Sequence, residues 1–586
     1  MADTDYFVIA AIDFGTTYSG YAFQLTSEYD PADPTKKILS PQAWNEGTTK
    51  LTSMKTPTCL LLDNNEDIDS FGFMAEEKYA DLCMDGDNKN WYFFRRFKMQ
   101  LHDTTGLKRT TMLSDETGRK LSALKVFSKS IECLKNNFSE LLQKKNCHVL
   151  PHEIKWVLTV PAIWDDTAKG FMRQAAKEAG IPSEHLTIAL EPEAASLFCQ
   201  HLPVEKLNVG GQVKFSDAKP GTTYMIVDLG GGTADITVHE KVSCGKLKEV
   251  DRASGGPWGG TSVDGAFIQL ISSIVGGPVF AVFMKKHTVD YLDLMREFES
   301  VKRNVSLSTT DDIKMKLPVT LNDTCKEQVK KDLKELVKVA KRDKDITFVG
   351  DKAKFKPALM QALFKKATDK IVDHMKYILD KTPVGKKVSL ILMVGGFSES
   401  AFIQDVIKAE FHNKKDRKVL IPKEAGISVV QGAVVFGRHP ENITSRVQRF
   451  SYGAKLSPPF DAKIHKSSKM YKTEKGDARC NDIFGEFMHC GTEVKVGHTV
   501  STSYYTVRPF QGDTDLQVFT STRDKTMYTD EDDCKKLGQL TIKIPDPSEE
   551  IREISVQYVF GDTELHIHAS DVKSKVPCKT TLSIFE

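Results

Sequence analysis

The chain carries no G-x-x-x-x-G-K-[ST] stretch anywhere in its 586 residues, which excludes a P-loop nucleotide site. It also lacks any C-x-x-C pair. Its eleven cysteines are odd in number and scattered, so free thiols in a reducing compartment are expected rather than a disulfide framework. No uninterrupted apolar run approaches the ~20 residues that a spanning helix needs, so no membrane insertion is expected. Met1 to Tyr6 are mostly polar, without a basic segment or a long apolar one, so no secretory signal is expected and the expected compartment is the cytoplasm. Charge of one sign is lacking too. With 81 basic and 79 acidic residues the formal net charge is +2, which argues against nucleic acid or a membrane surface as the main partner. The length predicts several domains, each with its own core.

One phrase is present twice. Ile12-Asp13-Phe14-Gly15-Thr16-Thr17-Tyr18-Ser19-Gly20 follows the apolar run from Phe7, and Val227-Asp228-Leu229-Gly230-Gly231-Gly232-Thr233-Ala234-Asp235 follows the run from Met225. Both read as strand, Asp at the strand end, tight turn, second strand. Gly and Thr in such a turn let backbone N–H groups approach a polyphosphate closely. Asp13 and Asp228 beside the turns suit a hydrated magnesium ion, which takes one or two carboxylates plus water and phosphate oxygens. A doubled turn of this kind predicts two similar lobes clasping one nucleotide.

Around these turns the pattern predicts an α/β fold. Leu124, Phe127, Ile131, Leu134, Phe138 and Leu141 recur at helical spacing. Ile154 to Val160 reads as a buried strand, and Asp165 to Thr167 offer N-caps for the helix after it. Gly210-Gly211 through Pro220-Gly221 reads as a loop between lobes. Residues 326–344, with eight Lys or Arg and the stripe Val329, Leu333, Leu336, Ala340, predict an exposed helical insert. Beyond about residue 445 helical spacing gives way to alternation, as in Leu516 to Thr520 and Ile554 to Val559, which predicts a smaller all-β domain. The expected division is a domain over 1–440, with lobe I at about 1–221 plus a helix over 424–437 and lobe II at about 222–423, then a β domain over 446–586.

These motifs resemble the actin-like ATPase superfamily and, within it, the 70-kDa heat-shock protein family, in particular its divergent type-12 branch. The likeness spans most of residues 7–438 and rests on separate motifs in family order. The two turns match at Asp13, Gly15, Thr16, Thr17 and Tyr18, and at Asp228, Gly230, Gly231, Gly232, Thr233 and Asp235. Thr159-Val160-Pro161-Ala162 resembles the family's strand-end proline segment. Leu190-Glu191-Pro192-Glu193 resembles its connector, with Glu191 at the place of the catalytic glutamate. Glu299, Lys302, Arg303 and Ser306 match the adenosine helix, and Gly395, Gly396 and Gly432 the second adenosine loop and connector. Lys98 sits where the family places a catalytic lysine, with Arg95 and Arg96 offering neighbouring registers. The resemblance implies a two-lobed actin-like fold of duplicated ribonuclease-H-like lobes, with ATP or ADP and Mg2+ bound between them. It implies Lys98, Glu191, Asp228 and Thr233 as catalytic residues, and Asp13 and Asp228 as metal residues acting through water.

The sequence also departs from the family. Phe397 and Glu399 stand where a serine and an adenine-stacking arginine are expected, and a glutamate cannot provide cation–π stacking. Lys423 stands in place of an acidic residue, and Glu399 and Lys423 are weighed as a pair. The stretch Glu441 to Phe450 (ENITSRVQRF) lacks the family's leucine-rich linker and reads as a polar linker without apolar side chains to dock, and no helical lid is expected over the β domain. Two candidate metal groups are weighed: His566 with His568 lack a third ligand at a convincing spacing, and the looser set Cys480, His489 and Cys490 reads as surface thiols in a β loop. Three functions follow in order: an ATP-binding, slowly hydrolysing chaperone whose β domain binds protein or extended peptide; a nucleotide-gated scaffold; and a metabolite kinase, for which no substrate motif is present.

Overall fold

The computed structural model describes residues 6–41, 44, 53–102, 107–203, 215, 218–349, 352–473, 476–574 and 577–579. Gly210 and Gly211, in the loop expected between the lobes, lie outside the described residues.

Two sheets repeat one design. In the first, strand Val8–Asp13 runs antiparallel to Tyr18–Leu25 and parallel to Ile154–Val160; Leu186–Leu190 and Thr56–Pro57 lie at the edges. In the second, Thr223–Leu229 runs antiparallel to Ala234–Lys241 and parallel to Val388–Val394. Both central strands are buried along their whole length, which is why each reads as an unbroken apolar run instead of an alternating one. The register sets Asp13 opposite Gly20 and Asp228 opposite Asp235, so each turn lies at the same end of its hairpin.

Helices Glu191–Cys199 and Ser428–Arg438 lie between the sheets. One apolar cluster joins Ile9 and Val157 of the first sheet, Ala194, Leu197, Val430 and Ala433 of these helices, and Ile226 and Leu392 of the second sheet. The helices cross where a side chain on Gly432 would come within 1.7 Å of the Ala194 carbonyl. Helix Ala123–Lys144 buries the expected face, including Leu124, Phe127, Ile131, Leu134 and Phe138, and Asp165 caps the next helix by accepting the Ala168 N–H at 2.9 Å. Among the described residues no single helix is long and apolar enough to cross a membrane. The bent pair Thr261–Val275 and Gly277–Lys286 passes by composition, but it puts Phe267, Ile271, Phe280 and Phe283 into the second sheet's core.

Three expectations change. The helix expected over 424–437 begins at Ser428, because the Gly426 N–H donates to the Glu399 carboxylate, and Glu424 to Ile427 form a turn. The insert over 326–344 is two helices, Val319–Val329 and Leu333–Val339, broken at left-handed Lys330; Asp332 and Glu335 form a capping box, and Leu333, Leu336 and Val337 are buried in the second sheet's core. The stretch read as a polar linker holds strand Ile443–Val447, which pairs in parallel with Leu247–Gly256 and in turn holds Glu493–Lys495.

From Ile443 on, the described elements are strands and one short 3-10 turn at Ser467–Lys469. Strands Ile483–Met488, Ser451–Leu456, Asp513–Ser521 and Cys534–Lys543 form one sheet. Strands His498–Tyr505, Glu553–Phe560, His566–Asp571 and Pro577–Lys579 form another. Val518, Leu540 and Ile542 of the one meet Val556, Tyr558 and Ile567 of the other in a shared core. The Tyr452 hydroxyl donates to Asp166 at 2.6 Å, Thr563 to the Ile188 carbonyl at 2.8 Å, and Arg173 Nε to Glu564 at 2.8 Å, so this part is seated on the first sheet's layer. Of the metal groups weighed from sequence, His566 faces Asp562 at 3.8 Å. His489 and Cys490 converge with Asp524 rather than with Cys480.

A candidate nucleotide cleft between the two sheets

The two turns face each other across a cavity of 420 Å³, within the range of small-molecule sites. Their contact demands small residues. A side chain on Gly231 would come within 2.2 Å of Thr17 Oγ1, and one on Gly232 within 2.6 Å of Thr16 Oγ1. The first turn is braced from behind: the Thr58 hydroxyl donates to the Gly15 carbonyl at 2.8 Å, and Gly15 N–H to the Ser19 hydroxyl at 3.2 Å. In the second turn the carbonyls of Gly232, Gly230 and Gly231 accept the N–H groups of Gly259, Gly260 and Thr261.

Four carboxylates gather at the turn end of the cavity. Asp13 accepts the Thr159 hydroxyl on Oδ1 at 2.9 Å and the Lys55 ammonium on Oδ2 at 2.5 Å. Burial, the largest influence, would raise its pKa, but the charge and hydrogen bond of Lys55, with Lys98 and the Thr159 hydroxyl, together hold it below the usual carboxylate range. Asp228 is the opposite case. Its Oδ2 is buried with no partner among the described residues, and burial together with Glu191, Asp235 and Asp13 raises it well above the usual range. Asp235 accepts the Ile163 N–H at 3.0 Å and the Thr233 hydroxyl at 3.0 Å, which fixes Thr233 at the cavity wall. Glu191 begins its helix and accepts Lys98 Nζ at 3.3 Å. Burial pushes its pKa up to about 7 against the pull of Lys98, with Asp13 and Asp235 adding to the rise. That is the range in which a carboxylate serves as a general base at neutral pH.

A hydrated magnesium ion fits this end. It takes carboxylate oxygens, and Asp228, whose Oδ2 has no donor among the described residues, lines the cavity together with Asp13. Gly395 makes the approach feasible. Its φ is +85°, and a side chain there would lie 2.3 Å from Asp228 Oδ1.

The other end is walled by helix Thr288–Asn304. Glu299 accepts Arg303 Nε at 2.9 Å and pairs with Lys302 at 2.5 Å; burial opposes ionisation, yet the two cations hold its pKa down at about 2. Lys302 also donates to Asp264 at 2.7 Å, which Arg96 reaches at 2.8 Å. Arg303 lies 5.7 Å over the Tyr18 ring. Phe397 lines the wall, parallel to Phe364 at 6.5 Å. Glu399 takes the Gly426 N–H at 2.8 Å, a backbone partner rather than the Lys423 weighed from sequence.

The cavity thus brings together Asp13, Gly15, Thr16, Thr17, Tyr18, Lys98, Glu191, Asp228, Gly230, Gly231, Gly232, Thr233, Glu299, Lys302, Arg303, Gly395 and Gly396. Ser306 does not join them. Val305 leaves the helix with extended backbone, and the Ser306 hydroxyl meets those of Ser308 and Thr309 at 3.0 Å. Of the three registers near residue 98, Lys98 reaches Glu191, while Arg95 lies near Glu116 and Arg96 at Asp264. Sequence reasoning missed Lys55 and the contact of Arg96. No motif marks either residue; only the pairing of Thr56–Pro57 with Tyr18 and Ser19 brings Lys55 to Asp13.

Fold and cleft together are those of a nucleotide clamp of the heat-shock type, and the family model described as Hsp70 protein matches residues 78–459. The chain belongs to the 70-kDa heat-shock protein family. It is 31% identical over 629 aligned residues to heat shock 70 kDa protein 12A of Homo sapiens, covering 98% of this chain and 91% of that one, and equally so to the Mus musculus protein of the same name. It is 30% identical over 628 residues to heat shock 70 kDa protein 12B of Homo sapiens, covering 97% and 89%. The family generally uses ATP and ADP with Mg2+.

Proposed function

We propose that this chain binds ATP in the cleft between the sheets, hydrolyses it slowly, and works as a chaperone-like protein whose C-terminal β part holds protein or extended peptide. The observation that carries this reading is Asp228 Oδ2, buried with no donor among the described residues, on a residue that lines the cavity with Glu191 and the two glycine turns. A folded chain keeps an oxygen in that condition at a cost of about 1–3 kcal/mol, and a cation site is the simplest reason. Asp228, with Asp13, would hold magnesium through water, and the ion would neutralise charge on the phosphates. Thr16 and Thr17 of the first turn and Gly231 and Gly232 of the second would cradle the phosphates with backbone N–H groups. Glu191 takes the proton of the attacking water, and Thr233, held by Asp235, orients that water. Lys98, almost fully buried, balances the negative charge on the departing phosphoryl oxygens. Glu299, Lys302 and Arg303 flank the nucleoside.

A specific observation favours a second reading, a nucleotide-gated scaffold with little turnover. Strand Ile443–Val447 is built into the second sheet, and Arg173, Asp166 and Ile188 hold the C-terminal part from the first. Such a chain transmits the state of the clamp to the β part without a freely swinging linker. Calorimetry of the full chain with ATP, ADP and GTP in magnesium, together with single-turnover hydrolysis, separates the readings. Binding with turnover supports the chaperone-like ATPase, binding without turnover supports the scaffold, and no binding of any nucleotide overturns both. An unfolded peptide titrated with ATP and with ADP tests the β part.

A further inference from the structure

The two strand-end aspartates have different surroundings. Both oxygens of Asp13 are engaged, one by Thr159 and one by Lys55, whereas Asp228 keeps an oxygen with no donor among the described residues. Lys55 is held in place on purpose-shaped backbone. Gly20 stands opposite Asp13 in the hairpin register, and a side chain there would come within 2.9 Å of Lys55 Cγ. The missing side chain leaves a channel in which the lysine stem lies across the hairpin and delivers Nζ to the carboxylate. Lys55 lines the same cavity as the two turns, with 16% of its side chain exposed.

The turn end holds four carboxylates, Asp13, Glu191, Asp228 and Asp235, against two ammonium groups, Lys55 and Lys98. A polyphosphate brings several further negative charges to this end, which something must offset. Charges a few ångströms apart interact strongly in a partly buried site, so one resident cation changes the balance appreciably. We infer that Lys55 is a built-in cation of the phosphate site, so that this chain holds nucleotide with a weakened requirement for magnesium. Lys55 neutralises Asp13 permanently and leaves Asp228 as the one carboxylate whose pairing depends on an added ion. Without Lys55, both aspartates would need that ion. The inference rests on the proposed nucleotide site.

The test is the ratio of dissociation constants for ATP without metal, in EDTA, and with magnesium, measured by calorimetry on the full chain. In Lys55→Met this ratio is expected to rise at least ~10-fold over wild type, because metal-free binding falls more than magnesium-bound binding. Lys55→Arg, which keeps the charge, should stay near the wild-type ratio. Gly20→Ala keeps every charge but crowds the stem at Cγ, and it should move the ratio in the direction of Lys55→Met. It therefore serves as the test should Lys55→Met fail to fold, as judged by circular dichroism. An unchanged ratio in folded Lys55→Met, or in Gly20→Ala where that stands in, overturns the inference while leaving the nucleotide site intact. Failure of the wild type to bind ATP in magnesium overturns the site itself and the inference with it.

Discussion

Arg446 and Glu193 form a buried two-pronged ion pair, with Nε 2.7 Å from Oε1 and Nη2 2.7 Å from Oε2. Glu193 is two residues from Glu191 on the same helix, and the remaining Arg446 nitrogen, Nη1, donates to the Gly561 carbonyl in the C-terminal β part. One guanidinium therefore ties together the helix that bears Glu191, the strand Ile443–Val447 and the β sandwich. The stretch that looked from sequence like a polar linker without docking groups docks through its polarity.

Truncating one partner of such a pair leaves the other buried and uncompensated. Arg446→Ala is expected to destabilise the chain by about 3–5 kcal/mol, read by urea unfolding. The double change Arg446→Met with Glu193→Gln should cost clearly less than the sum of the single ones. Additive costs would mean that the two residues act separately.

Glu191, with its pKa pushed up to about 7, gives hydrolysis a pH signature. As a base it must be ionised, so single-turnover rates should rise with pH through about 7 and then level. Glu191→Gln should be slower on the order of 100-fold and flat over that window, with ATP binding retained. A mutant that keeps the wild-type rate and slope would assign the water to another group.

Glu249 is a buried carboxylate that accepts the Val447 N–H at 2.9 Å, with Glu193, Arg446 and Lys169 as its charged neighbours. Burial first, then Glu193, raises its pKa from 4.5 to about 8. Below pH 4.5 both folded and unfolded chains hold this proton. Between there and about pH 8 only the folded chain holds it, so this group's contribution to stability declines as pH rises through that window. Glu249→Gln should therefore gain on wild type between pH 5 and pH 8.5, by an amount on the order of 4 kcal/mol. A difference in thermal midpoint that stays constant with pH would show that Glu249 is ionised in the fold.

Gly395 and Gly396 make a controlled pair. At Gly395, with φ +85°, a side chain would meet Asp228 Oδ1 at 2.3 Å and the Leu229 carbonyl at 2.5 Å; at Gly396 it would meet nothing within 4 Å. Gly395→Ala is expected to cost about 1–3 kcal/mol and to weaken magnesium-dependent ATP binding at least ~10-fold by displacing Asp228. Gly396→Ala should leave stability within ~0.5 kcal/mol, so any loss of nucleotide affinity there reports the cavity itself. Equal stability of the two variants would contradict the close approach at Gly395.

The sequence by itself determined the parts of the cleft that are local in the chain. An Asp at a strand end followed by Gly and Thr must turn at once, so Asp13 to Tyr18 and Asp228 to Asp235 carry their own geometry. Their repetition announced two matching sheets. Helical spacing placed Ala123–Lys144, and the apolar run from Ile154 marked the buried strand Ile154–Val160. Only the tertiary structure decided which distant residues meet these parts. Lys55 reaches Asp13 because Thr56–Pro57 pairs with the first hairpin and Gly20 leaves room for its stem. Arg96 finds Asp264, Glu399 takes an N–H from Gly426 instead of pairing with Lys423, and Arg446 finds Glu193 across hundreds of residues. Ser306 was misread for the same reason, since one extended residue after the helix turns it from the cavity. A backbone turn is set by forces among neighbours in sequence. A buried charge has no preference until the sheets close around it, and only then does the need for a partner select one.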